Sequence, residues 1–568
     1  MDDAAKRQAS GSIPLGATFV ALFLLGAGLR LYGLPGQILL DDEWHSLNFV
    51  LDKSPFALLT THGLGANSIP LNLVNWALLR TVGWSEFTLH LLPILCGLAG
   101  LIAFPRLVAR LAGRTAATIF MALFAISPCV IYYARIARPY AMVVFFGFWA
   151  LLCLALWTRE GRPRQWAAYV AGGVAAVYFH PYAALPILAP LAGLFLAACV
   201  RRSAFAAAPW ITRTRLFRAG FLIAALLALL LGPAHVRNPW WLPELARDRV
   251  SLQGLWEFLS LLAGTPWISA KLLFAALVGC GLRQWLRTEF PVGLLFLSVW
   301  IAFGALLVFA TQDGIHTGIL LARFNIILLP VAMLLASVAL DRPLARLPAP
   351  GRFAAGLLLV GGLAAGSPLW RTFAPPNNFM HHSAFQDSYA PFDWSASRVR
   401  TLAALPQMPR ERIPAFYAEL ARQPAIPGLV EFPMYMGDSL NFHYFCQHVH
   451  GKPVAIGYVP NVVFPPLPSQ DGFIYQALPV DYVFSRARTL GLDGKMHFAN
   501  LLPLTDADRL HRTHSGWWLV LHRDLMKETL GEEGPSNYGP PAQLEQLLTD
   551  RLGAPAHADE QLAAWRIP

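Results

Sequence analysis

The chain has 568 residues, 56% of them hydrophobic and 14% charged, and a mean hydropathy of +0.47, a balance too apolar for a soluble enzyme of this size. A formal net charge of +11 would suit nucleic-acid binding if the basic residues formed one surface, but they recur in short clusters between long apolar runs. Composition therefore excludes a nucleic-acid partner and predicts a polytopic α-helical membrane protein.

Crossing about 30 Å of hydrocarbon takes roughly 20 mostly apolar residues at 1.5 Å rise each. Such runs lie near residues 15–34, 89–110, 115–133, 139–157, 165–180, 182–200, 216–234, 268–286, 291–311, 319–340 and 353–370, which predicts about 11 transmembrane helices. The first follows Lys6 and Arg7, ends in Arg30-Leu31-Tyr32 and has no small-residue cleavage site, so it reads as an uncleaved helix rather than a signal peptide. With the amino terminus inside, alternate connections are arginine-rich: Arg106, Arg110 and Arg114, then Arg159, Arg162 and Arg164, and again Arg342, Arg346 and Arg352. The positive-inside rule is satisfied throughout, and an odd helix count puts the carboxyl terminus outside.

Between the first two spans, the external loop 35–88 contains a candidate surface helix at 43–51 and an apolar stretch at 71–79, both too short to cross. Beyond residue 371 the apolar runs shorten to strand length and Pro and Gly punctuate them. The expected organisation is a membrane domain over 1–370 and a soluble α/β domain over 371–568, hinged near Pro375-Pro376-Asn377-Asn378. Strands are predicted at 429–432, 454–457, 481–485 and 517–522, and a helix at 439–450. Five cysteines (Cys96, Cys129, Cys153, Cys199, Cys280) fall in or beside apolar helices and Cys446 stands alone outside, so no disulfide is implied.

Polar residues at the outer ends of the helices are the candidates for chemistry. Asp41, Asp42 and Glu43 follow the first span, where three adjacent carboxylates repel one another close to hydrocarbon. One reading is a general base, Asp42 or Glu43, that takes a proton from an acceptor hydroxyl; the other is a hydrated loop that caps the next helix. The segment YYARIARPY puts Arg135, Arg138 and Tyr140 on the short turn between the third and fourth spans. Guanidinium groups there suit a lipid phosphate, which they grip with two parallel hydrogen bonds, or else snorkel toward headgroups. Arg323, near the outer end of the tenth span, is a third phosphate ligand by the same argument. His180, in YFHPY, reads as a substrate or proton-relay group, or as a hydrogen-bonded packing residue. His62 and His316 complete no spaced constellation, and HEXXH, CXXC pairs and Walker loops are absent. No protein-bound zinc site is expected; a divalent ion, if one takes part, would sit on Asp42 or Glu43 with donor phosphate.

In order, LLDDEWHS, GWSEFTLHLLPILCG, SPCVIYYARIARPYA, YFHPYA and LLARFNIILLP resemble the GT-C superfamily of polyprenyl-phosphate-sugar-dependent glycosyltransferases. The nearest likeness is to bacterial members related to protein mannosyltransferases and the aminoarabinose transferase, over residues 15–345. The resemblance implies a catalytic base at Asp42 or Glu43 and donor-phosphate binding by Arg135, Arg138 and Arg323. It implies transfer of a sugar from a polyprenyl-phosphate donor to a lipid, glycan or protein acceptor by inverting displacement, in a bacterial inner membrane with a periplasmic carboxyl-terminal domain. One departure is that Asn67-Ser68-Ile69-Pro70-Leu71-Asn72 stands where many relatives carry an HPP-type segment. Competing readings are a transporter or flippase of lipid-linked glycans, and a non-catalytic scaffold for polysaccharide assembly.

Overall fold

The computed structural model describes residues 16–34, 53–62, 68–237, 252–309, 318–348, 413–432, 515–523 and 541–568 apart from single gaps, with scattered positions between, among them Gln37, Glu43, Ser46, His443, Cys446 and His450. The expected domain boundary near 371, the hinge at 375–378, the strand at 481–485, Asp41, Asp42, His316 and most of the run 353–370 lie outside the described residues.

The helical part contains α1 (Ala17–Leu31), α2 (Pro55–Thr60), α3 (Ile69–Thr81), α4 (Glu86–Ala112), α5 (Arg114–Ile126), α6 (Pro128–Ala134), α7 (Tyr140–Glu160) and α8 (Pro163–Phe179). It continues with α9 (Ala184–Val200), α10 (Arg213–Arg237), α11 (Leu252–Ala263), α12 (Ile268–Thr288), α13 (Phe290–Phe309), α14 (Gly318–Phe324) and α15 (Leu328–Ala345). Each expected run before 345 coincides with a helix or a broken pair. Among the described residues, 5 helices are long and apolar enough to cross a membrane unaided, or up to 7 when each bent pair is one span.

Punctuation follows from local chemistry. Ser54 and Ser85 cap α2 and α4 by accepting from the N–H groups of Ala57 (3.2 Å) and Thr88 (3.0 Å). Gly161 ends α7 with φ of 68°, and a Cβ there would meet the Trp210 ring at 2.6 Å, so only glycine fits. The run expected at 115–133 is broken: α5 and α6 meet at 62°, because Pro128 has no N–H for the Phe124 carbonyl. Arg30, fully buried in α1, supplies the missing donors, with Nη2 on Phe124 O (3.1 Å) and Nη1 on Ala125 O (3.2 Å) and Gly26 O (2.8 Å).

α7 is the axis of the bundle, with 83% of its apolar window buried, whereas α10 buries 17% and turns Phe217, Phe221, Leu222 and Leu229 outward. A helix apolar all round that exposes such side chains belongs against lipid. Small residues let α7 and α8 approach closely: a Cβ on Gly172 would lie 3.0 Å from Phe146 O and 3.2 Å from Ala150 Cβ. At one end of the bundle Arg110 and Arg162 each pair with Glu160 at 2.9 Å, and Arg159 pairs with Glu289. The opposite end gathers the first turns of α4 and α7 and the start of α15.

The α/β part holds α16 (Ala415–Ala421), β1 (Leu429–Phe432), β2 (Val454–Ile456), β3 (Val463–Phe464), β4 (Trp518–His522), α17 (Pro541–Leu552), β5 (His557–Ala558) and β6 (Leu562–Arg566). Its 6-stranded sheet runs β3-β2-β1-β4-β6-β5, with β1 parallel to β2 and β4 and the outer pairs antiparallel. The helix expected over 439–450 is helical at His443, Cys446, Val449 and His450. Apolar residues of α16, β1, β4 and β6 form a core of their own around Tyr417, Leu429 and Val520.

Candidate functional site at the bundle end

Glu43, Ser46, Phe49 and Val50 are helical. Phe49 and Val50 pack with Leu58 of α2 against Leu73, Trp76 and Leu79 of α3. Ser46 donates to Asn72 Oδ1 at 2.8 Å and accepts from Asn75 Nδ2 at 3.4 Å. The departing segment of the first loop thus contributes Asn72, a buried side chain that orients the acidic stretch.

Glu43 is 1% exposed. Its Oε1 accepts from His90 Nε2 of α4 at 2.8 Å and from the Ala137 N–H. The acidic loop is therefore bonded to the turn between α6 and α7 that carries Arg135 and Arg138. Gln37 completes the link, its Nε2 donating to Arg135 O (2.7 Å) and its Oε1 accepting from Arg135 Nε (3.1 Å). Arg135 Nη1 donates to Tyr32 O at 2.6 Å just beyond α1, which gives the final carbonyls of that helix a cationic partner.

A second group lies two residues beyond Arg138, where the turn enters α7. Tyr140, the first residue of α7, accepts from Arg323 Nε of α14, and the Arg323 guanidinium sits 5.1 Å from the Tyr140 ring centre and 5.7 Å from that of Phe324. His180 ends α8 because Pro181 follows. Its ring lies 5.6 Å from Tyr140, 5.4 Å from Tyr182 and 5.9 Å from Phe324, and it feels the charges of both Arg323 and Arg138. Tyr133 closes the box at 5.0 Å from Tyr140.

Of the residues singled out in the sequence, Glu43, Arg135, Arg138, Tyr140, His180 and Arg323 thus converge on one end of the bundle. His62 is buried elsewhere in the first loop. Gln37 and His90 carry no signal in the sequence: each is a single polar residue whose partner lies 98 or 47 positions away, a separation that leaves no local spacing to read. The cluster combines one buried carboxylate, a histidine facing it, and cationic side chains on the neighbouring turn, an arrangement that fixes the acidic loop beside groups suited to holding an anion. An apolar pocket lined by Ile126, Pro128, Leu262, Gly264, Phe274 and Met333 opens at the bend between α5 and α6.

A second polar cluster occupies the α/β part. Glu431, His443 and His522 are buried, with one ligand-capable atom from each lying within 4.8 Å of the others. Burial works to raise the Glu431 carboxyl, but the hydrogen bond from His522 and the charges of His522, His443 and His450 outweigh it and hold the group below its usual value.

These features define a multi-pass helical membrane protein with a charged site at one end of its bundle and an α/β part beyond it. Its fold is the GT-C fold of ArnT from Cupriavidus metallidurans. The apo ArnT structure superposes with a TM-score of 0.55 at 15% identity over 97% of each chain. ArnT bound to undecaprenyl phosphate superposes at 0.57 and 14% identity, over 97% of this chain and 98% of that one. The archaeal oligosaccharyltransferase AglB from Archaeoglobus fulgidus overlaps more loosely, with a TM-score of 0.44 at 12% identity over 89% of this chain and 69% of that one. No protein-family model matches the sequence, and no curated protein matches it.

Proposed function

We propose that the protein is a membrane glycosyltransferase that moves a sugar from a polyprenyl-phosphate carrier to a lipid, glycan or protein acceptor at the outer face of a bacterial inner membrane. The observation that carries this reading is the bond from the Ala137 N–H to Glu43, which ties the acidic loop to the arginine turn, in a fold shared along its length with a protein that binds undecaprenyl phosphate.

Glu43 is committed to two donors and shielded from solvent, so it serves better as the anchor of the acidic loop than as its base. Asp42, its neighbour, is the base. In the reaction the acceptor hydroxyl oxygen attacks the anomeric carbon while Asp42 takes the hydroxyl proton. The bond from that carbon to phosphate oxygen breaks, the configuration inverts, and polyprenyl phosphate leaves with the bonding electrons. Arg138 and Arg323 hold the phosphate as its charge grows, and Tyr140 and His180 orient Arg323 and the phosphate between them. Arg135 acts through the shape of the turn, since its guanidinium is engaged by Gln37 and Tyr32 O. Phosphate is a capable leaving group once paired with guanidinium, so orientation and charge stabilisation suffice without a nucleophilic triad.

The test is transfer of radiolabelled sugar from an undecaprenyl-phosphate donor by the protein in vesicles. Asp42→Asn is expected to lower the rate by roughly 10²- to 10⁴-fold, the usual worth of a general base. Full activity in both Asp42→Asn and Glu43→Gln removes the base from this loop.

A further inference from the structure

Glu431 on β1 pairs in register with Val520 of β4. His522 is two residues further along β4 and so shares the face of the sheet from which Glu431 projects. Against that face lie Tyr417 of α16 and the helical positions His443, Cys446 and His450, spaced i, i+3 and i+7 so that all three line one side of a helix. Every one of these side chains is buried, Glu431, Tyr417 and Cys446 completely.

Their polar atoms converge on a single point. His522 Nε2 lies 2.7 Å and His443 Nδ1 3.6 Å from Glu431 Oε2. The Tyr417 hydroxyl is 2.9 Å from both carboxylate oxygens and 2.8 Å from His522 Nε2. The carboxylate, the two imidazoles and the phenol thus all offer lone pairs toward one another once the histidines are neutral. Donors around tetrahedral zinc, at 2.0–2.2 Å from the ion, stand roughly 3.3 Å apart; here Glu431 lies 2.7 and 3.6 Å from the two imidazoles and all three ligand atoms lie within 4.8 Å of one another, so an ion needs only small shifts of the side chains. His450 Nδ1 accepts from the Lys452 N–H at 3.0 Å, and its ring stacks 5.2 Å from Tyr417, which makes it a wall of the site.

We propose that Glu431, His443 and His522 bind one zinc ion that fastens β1, β4 and the helical position His443 together, with the Tyr417 hydroxyl at or next to the fourth position. Two imidazoles and a carboxylate suit zinc; magnesium and calcium call for shells of six or more oxygens. Burial of every donor makes the site structural, and nothing in the sugar-transfer reading depends on it.

The experiment uses the full-length protein in detergent. Metal analysis after purification, or after chelation and zinc titration, is expected to find one zinc per chain, with a higher melting temperature in zinc than in chelator. Both effects vanish in Glu431→Gln and His522→Asn and persist in Glu43→Gln. Tyr417→Phe weakens zinc binding by roughly 10- to 100-fold, the usual cost of an outer partner. If the ligand variants do not fold, hydrogen exchange on the wild-type chain decides: zinc slows exchange in Leu429–Phe432 and Trp518–His522. The proposal is overturned if the wild-type protein takes up no stoichiometric zinc, if Glu431→Gln folds and retains it, if Glu43→Gln loses it, or if zinc leaves exchange in those strands unchanged.

Discussion

Replacing Glu43 by glutamine keeps the side-chain shape and one acceptor oxygen while removing the charge. In the folded chain that oxygen serves two buried donors, His90 Nε2 and the Ala137 N–H. Hydrogen bonds to a charged partner contribute about 1.5–3 kcal/mol and neutral ones about 0.5–1.5, so Glu43→Gln costs the anchor roughly 1 kcal/mol at each donor. His90→Leu removes one donor and leaves the carboxylate held by the turn alone. Because both changes loosen the same tie, their effects on kcat/KM for sugar transfer should overlap. The expected coupling is about 1–2 kcal/mol, or roughly 5- to 30-fold less loss in the double variant than the product of the single losses. The assay is transfer from the lipid donor by all four members of the cycle at equal folded protein. Losses that multiply to within about 2-fold would refute the role of Glu43 and His90 as one unit.

Arg323→Lys keeps the charge but loses the planar fork that meets Tyr140 and, in the proposed reaction, the phosphate, and is expected to lower kcat/KM for the lipid donor by roughly 10²-fold; initial rates against donor concentration check this. Gly172→Leu drives a side chain into Phe146 O and Ala150 where even a Cβ has 3.0–3.2 Å, and should cost about 1–3 kcal/mol, read as a lower melting temperature in detergent. In the α/β part, Asp559 accepts from the N–H groups of Gln561 and Leu562 at 2.8 Å and from His557 at 3.1 Å. Partial burial works to raise its carboxyl, yet those bonds hold it below the usual value. Its contribution to stability is thus present above the ordinary carboxylate range and lost as pH falls through the lowered value. The melting difference between wild type and Asp559→Asn should shrink below about pH 4.

The apolar runs and the arginine clusters made the helical architecture legible, since a membrane span is a length and a composition, both written locally. The bend at Pro128 was not: its proline is visible, but whether a helix kinks or breaks depends on Arg30, nearly 100 positions earlier, satisfying the freed carbonyls. Arg135 and Arg138 are equivalent in ARIAR, and nothing local foretells that Arg135 bonds to Gln37 and to Tyr32 O, both about 100 positions away. His90 is one histidine in an apolar helix, and nothing near it in the chain announces Glu43. The buried cluster around Glu431 is spread over strands and helical positions 105 residues apart at its extremes, so its one local trace is the His443, Cys446, His450 spacing.

The most direct test of the account follows both the sugar and the carrier in vesicles loaded with undecaprenyl-phosphate-linked sugar. Wild-type protein is expected to release undecaprenyl phosphate in step with sugar reaching an acceptor, and Asp42→Asn and Arg323→Ala to abolish both together. Carrier that crosses the bilayer with its sugar still attached, at a rate unchanged in those variants, would contradict it and make the protein a transporter of lipid-linked glycans.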